Sequence, residues 1–78
     1  NKFSYYIKVA DFYYKKSAKN MSKRIKSEVK LKNIKIIELT KTNYRLLLGP
    51  FNDIQSLKDS FEKMNSLYFE NLEIIKDV

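Results

Sequence analysis

The chain has 78 residues, 44% hydrophobic and 14% aromatic, with one Gly, one Pro and neither Cys nor His. That composition is too apolar and too poor in chain breakers for a disordered tail, and without Cys and His it excludes disulfide scaffolds, zinc fingers and thiol or imidazole nucleophiles together. The net charge of +7 is lopsided: residues 13–35 hold nine Lys or Arg against the single Glu28, whereas residues 50–78 hold three Lys against six acids.

The stretch Phe3-Ser4-Tyr5-Tyr6-Ile7-Lys8-Val9-Ala10 is aromatic, β-branched and roughly alternating, which predicts a strand. From about Lys15 the period lengthens, and Ala18, Met21, Ile25 and Val29 fall at helical spacing with lysines between them. Asn33 is the residue expected to supply a left-handed turn after this helix. Ile34 to Leu39 reads as a second strand, broken by Thr40-Lys41-Thr42-Asn43, and Tyr44 to Leu48 as a third, ended by Gly49-Pro50. The two are close enough to form a hairpin. Asn52 and Gln55 have capping-box spacing. The helix that follows puts Ile54, Leu57, Phe61 and Met64 on one face, and Leu72 to Lys76 makes a short last strand.

An internal echo supports this order. Ile7-Lys8-Val9-Ala10-Asp11-Phe12 parallels Leu46-Leu47-Leu48-Gly49-Pro50-Phe51, and the same offsets from each Phe lead to Ala18 and Leu57, then to Ile25 and Met64. Two strand–helix units, each completed by a strand, imply an α+β fold of ferredoxin-like, RNP-like βαββαβ order. Right-handed crossovers give a four-stranded antiparallel sheet with two helices on one face. Strand alternation then sends Tyr5, Ile7, Val9, Tyr44, Leu46, Leu48, Leu72 and Ile74 towards the helices. Tyr6, Lys8, Ala10, Asn43, Arg45, Leu47, Glu73 and Ile75 are left for the open face.

Three of these stretches together resemble the SPOR domain (sporulation-related repeat). Tyr5-Tyr6-Ile7-Lys8-Val9-Ala10-Asp11-Phe12 is similar to the family's opening strand, aromatic-x-x-Gln-x-Gly-Ser-Phe. Ala18, Met21 and Ile25 continue its helix pattern. Tyr44-Arg45-Leu46-Leu47-Leu48-Gly49-Pro50-Phe51 closely resembles its Tyr-Arg-Val-x-Val-Gly-Pro-Phe signature. The departures fall at Lys8, Ala10 and Asp11, where the family usually has Gln, Gly and Ser, and neither helix ends in the usual Gly.

The resemblance implies one SPOR-like domain over residues 1–78, excised from the C-terminus of a longer protein, in keeping with a chain that opens on Asn1 and has no leader pattern. It further implies a monomeric, non-catalytic module without cofactor or metal that binds peptidoglycan glycan strands lacking stem peptides. Its place would be the periplasmic or extracytoplasmic face of the bacterial envelope, at the septum. No apolar run approaches the ~20 residues of a membrane-spanning helix, so membrane attachment is expected only through parts of the protein outside this chain.

The expected ligand-binding residues are Tyr6, Lys8, Asp11, Asn43, Arg45, Leu47 and Glu73. Apolar and aromatic groups suit the C–H faces of pyranose rings, and placed polar groups orient hydroxyls and N-acetyl groups. Loss of the stem peptide frees a lactyl carboxylate that Arg45 can grip bidentately and Lys8 can attract as a point charge. Each residue also has a plainer role: Arg45 paired with Glu73, Lys8 solubilising an edge, Asp11 capping the turn, and Tyr13 with Tyr14 packed on the helix start. A protein-interaction module without sugar affinity is the alternative function, supported by the departures at Lys8, Ala10 and Asp11. Nucleic acid is not expected, because the third strand lacks the aromatic-x-aromatic pattern on which RNA bases stack. Catalysis would need a carboxylate pair or a lysine on one concave site, and no such pair is evident.

Overall fold

A computed structural model describes residues 3–69 and 71–76. The elements are β1 (Tyr5–Phe12), α1 (Lys15–Glu28), β2 (Ile34–Thr40), β3 (Asn43–Phe51), α2 (Ile54–Asn65) and β4 (Glu73–Lys76). They form the expected α+β, ferredoxin-like arrangement. The strands make one sheet in the order β2-β3-β1-β4, every neighbouring pair antiparallel. The two strands of the Phe-containing echo, β1 and β3, therefore lie side by side at the centre, and β2 and β4 are the edges.

The core is the seam between the sheet's inner face and the helices. Ile7, Leu46 and Leu48 from the sheet meet Ile25 and Met64 from the helices, all fully buried. Ala18 and Leu57, the other echoed pair, are also buried. Apolar residues at helical spacing thus cover the apolar side of the pleat, and that burial is what holds both helices down.

The helix ends differ from expectation. Asp53, one residue after Asn52, caps α2: its Oδ1 accepts the Ser56 backbone N–H at 2.8 Å and its Oδ2 accepts the Ser56 hydroxyl at 3.0 Å. Asp53 has the extended backbone of an N-cap (φ −144°, ψ 155°), and its charge also suits the helix N-terminus. Ile54, at the first helical position, is 58% exposed and so lies outside the core. After α1 the left-handed residue is Lys30 (φ 58°), immediately beyond the Val29 C-cap, and not Asn33.

Two irregularities shape the sheet. Ile7 and Lys8 pair with Leu48 and Leu47, but Ala10, Asp11 and Phe12 pair with Leu46, Arg45 and Tyr44. Val9 is the extra residue of a β-bulge, which reverses the in–out alternation beyond it. Ala10 consequently packs against the core cluster and not on the open face, and Asp11 turns to the open face opposite Arg45. On the other side, Gly49 and Pro50 occupy the stretch of β3 opposite Tyr6, with a cis bond between them. Gly49 has φ +126°, and a Cβ there would lie 3.0 Å from the Tyr5 carbonyl oxygen and 3.2 Å from Tyr6 Cδ2. Only glycine permits that backbone and lets the Tyr6 ring lie against it.

Candidate functional site

The open face is organised by a row of charges crossing three strands. Arg45 on β3 donates from Nε to Asp11 Oδ1 at 2.8 Å and from Nη2 to Asp11 Oδ2 at 3.0 Å. Asp11 Oδ2 also lies 3.8 Å from Lys8 Nζ, which in turn lies 3.8 Å from Glu73 Oε1 on β4. The paired guanidinium, by hydrogen bond first and charge second, holds the Asp11 carboxyl below its ordinary range, with Lys8 assisting. The same bond raises Arg45. Asp11 therefore does not cap the turn into α1, whose N-cap, Tyr14, has no side-chain cap bond. Nor does Arg45 pair with Glu73: Asp11 stands between them because the bulge put it there.

Beside this row Tyr6 and Lys35 form a second pair. Lys35 Nζ donates to the Tyr6 hydroxyl at 3.2 Å and sits 5.4 Å from the ring centroid. Leu47 lies between Lys8 and Lys35 in the strand register and is only 6% exposed, so it forms the floor of the face and offers little surface of its own. Asn43 stands at the hairpin end of β3, its Oδ1 buried without a hydrogen-bond partner. Tyr13 and Tyr14 do not pack on the helix start. They are 61% and 65% exposed and stack edge-on against each other, with centroids 4.7 Å apart.

The structure thus brings Lys8, Asp11, Arg45 and Glu73 into one network, sets Tyr6 next to it, and leaves Asn43 at one end. Sequence reasoning missed Lys35, whose register opposite Leu47 was readable only once the hairpin pairing was known. It also missed the loop between α2 and β4. β4 pairs with β1 only as far as Lys8, and beyond that point Tyr68, Phe69 and Asn71 border a cleft of about 500 Å³ shared with Lys8 and Asp11. Tyr68 is 90% exposed and held at φ 64°. A bulky residue in the left-handed region is uncommon, and nothing in the sequence marks Tyr68 as one.

Among the described residues no group of His, Cys, Asp or Glu is placed to hold a metal, and no helix is long and apolar enough to cross a membrane. What this chain presents is a shallow polar sheet face with aromatic groups at its borders and a cleft at one edge. That is the form of a small α+β binding module.

The family model of the SPOR domain matches residues 1–71, and the chain belongs to that family. SPOR domains are extracytoplasmic and generally bind peptidoglycan, so the coarse role is binding at the cell wall. No curated protein and no solved structure matches the chain.

Proposed function

We propose that this domain binds peptidoglycan glycan strands stripped of stem peptides, and thereby brings the protein that carries it to the septum or to other sites of wall remodelling. The observation that carries this reading is the Arg45–Asp11–Lys8–Glu73 row flanked by Tyr6 and by the Tyr68 cleft. A glycan chain needs flat apolar contact for its rings and directional polar contact between them, and the row supplies the second between two sources of the first.

Asp11 uses the side-on edge of the guanidinium, Nε with Nη2. The end-on edge, Nη1 with the second Nη2 hydrogen, remains for a ligand oxygen. Asp11 therefore positions Arg45 while leaving it able to grip the lactyl carboxylate exposed when a stem peptide is removed. Lys8 adds a positive charge 3.8 Å from Asp11, where the family usually has a neutral Gln. Asp11, where the family usually has a neutral Ser, offsets that charge, so the two departures keep the row close to neutral.

The test is a pull-down with insoluble sacculi, amidase-treated and untreated, using wild type and Arg45→Ala. Treated sacculi should retain more wild-type domain, and Arg45→Ala should reduce that retention about tenfold, the loss expected for one charge-assisted bidentate contact. Equal retention of both proteins would remove Arg45 from the site. A folded domain that bound neither preparation would overturn the glycan reading and leave protein recognition in its place.

A further inference from the structure

The opposite side of the molecule carries a feature that glycan binding does not use. Lys19, Lys23 and Lys26 of α1, with Ile34 and Ile36 of β2, line a groove of about 300 Å³ between the helix and the edge of the sheet. Lys26 also lines a second hollow of about 570 Å³, bordered by Lys30, Leu31 and Lys32. All five lysines are exposed, and among the described residues none has an ion-pair partner. Of the two acids on α1 and β2, Glu28 is held by Arg24 at 2.9 Å, and Glu38 follows Ile34 and Ile36 on the helix-side face of β2. β2 pairs only with β3, so its outer backbone edge has no strand beside it, and Ile37 and Leu39 on that strand are 39% and 45% exposed.

We propose that this groove docks an extended acidic segment of a partner protein, which adds to the free edge of β2 as a fifth strand. Three observations point to the same occupant. A free edge strand is a template for main-chain pairing, which β2 offers up to the irregularity after Glu38. Ile37, exposed on the other face of β2 in register with Arg45, suits a segment with an apolar residue at every second position, turned to that face. The lysine wall suits carboxylates at the alternate positions. Lys19 and Lys23 are one helical turn apart, about 6 Å along the axis, and alternate side chains of a strand are about 6.8 Å apart, so successive acids meet successive lysines. A phosphate polymer would satisfy the lysines but would leave Ile37 and the backbone edge without a partner.

The experiment is titration of the isotope-labelled domain with a short peptide alternating Glu and Val. Its Gln–Val counterpart, polyphosphate, and vesicles containing phosphatidylglycerol serve as separate arms. The Glu–Val peptide should bind and slow amide exchange along Ile34–Leu39. The Gln–Val peptide should fail, and K19E/K23E/K26E should weaken binding about tenfold or more, since each exposed pair contributes modestly. These lysines are solvent-facing, so the triple variant should melt near wild type and still bind amidase-treated sacculi, which separates this proposal from the glycan site. Binding of polyphosphate or vesicles through the same lysines, with no response to the peptide, would overturn the proposal in favour of a phosphate-bearing partner. No response to any probe would reduce the groove to a solvated helix face.

Discussion

Asp11 and Arg45 fix each other on the open face, and their coupling makes a pH signature. The paired guanidinium lowers the Asp11 carboxyl in the folded protein, while in the unfolded chain it titrates near its ordinary value of about 3.9. Between those two values the unfolded state binds more protons, so the pair stabilises the fold above about pH 4 and loses that contribution as pH falls through the depressed value. The side chains are about one-third exposed, so solvent screening keeps the contribution at about 0.5–1 kcal/mol. Asp11→Asn should lower stability by that amount at pH 7 in urea melts and by almost nothing near pH 2. A gap that persisted undiminished in acid would mean that the residue acts through packing. Gly49 makes a different kind of demand. At φ +126°, with the Tyr5 carbonyl 3.0 Å from where a Cβ would stand, Gly49→Ala should cost about 1–3 kcal/mol and displace the Tyr6 ring from the open face. A thermal melt checks the first consequence and sacculus retention the second.

At the scale of elements, the echo between the two halves makes a stability prediction. Ile25 and Met64 occupy equivalent places in α1 and α2, and both are fully buried. Each change to Ala should cost about 2–5 kcal/mol. A domain of this size has roughly 4–12 kcal/mol in all, so the double variant should be largely unfolded by circular dichroism at room temperature. If either single change were nearly silent, that helix would not be anchored by its echoed residue. The same elements show how far the sequence was legible. Helix and strand order came through because apolar period alone decides it, and Leu46, Leu48, Ile25 and Met64 obey that period without exception. Strand parity gave the correct face for Tyr6, Lys8, Arg45 and Glu73. It failed at Ala10, because alternation holds only while the ladder is regular, and the extra Val9 leaves no mark in Lys8-Val9-Ala10, where the small Ala10 suits either face. The cap of α2 was missed by one position, since Asn52 and Asp53 are both good caps and only backbone geometry selects between them. The Tyr68 cleft was invisible because it depends on where β4 stops pairing with β1.

On the whole molecule, charge is divided between two sides. The open face carries Lys8, Lys35 and Arg45 against Asp11 and Glu73, close to balance, whereas the α1 side gathers exposed lysines around the groove. A domain of net charge +7 will adhere to many polyanions, the wall among them, whatever its sheet does. Salt separates the two modes. Exposed lysines act across solvent, where the screening length falls from about 10 Å at 0.1 M towards 3 Å at 1 M. Contacts made at van der Waals and hydrogen-bond distance on a nearly neutral face are screened much less. Retention on amidase-treated sacculi should therefore change less than about threefold between low and moderately high salt, a shift within the reach of one screened surface pair. Adhesion of the same protein to polyphosphate should collapse over that range. K19E/K23E/K26E should abolish the salt-sensitive part and leave the resistant part in place, while Arg45→Ala should do the reverse. If retention on treated sacculi instead fell in step with polyphosphate adhesion, the lysine side would be the wall-facing one, and the division of labour between the two faces would have to be inverted.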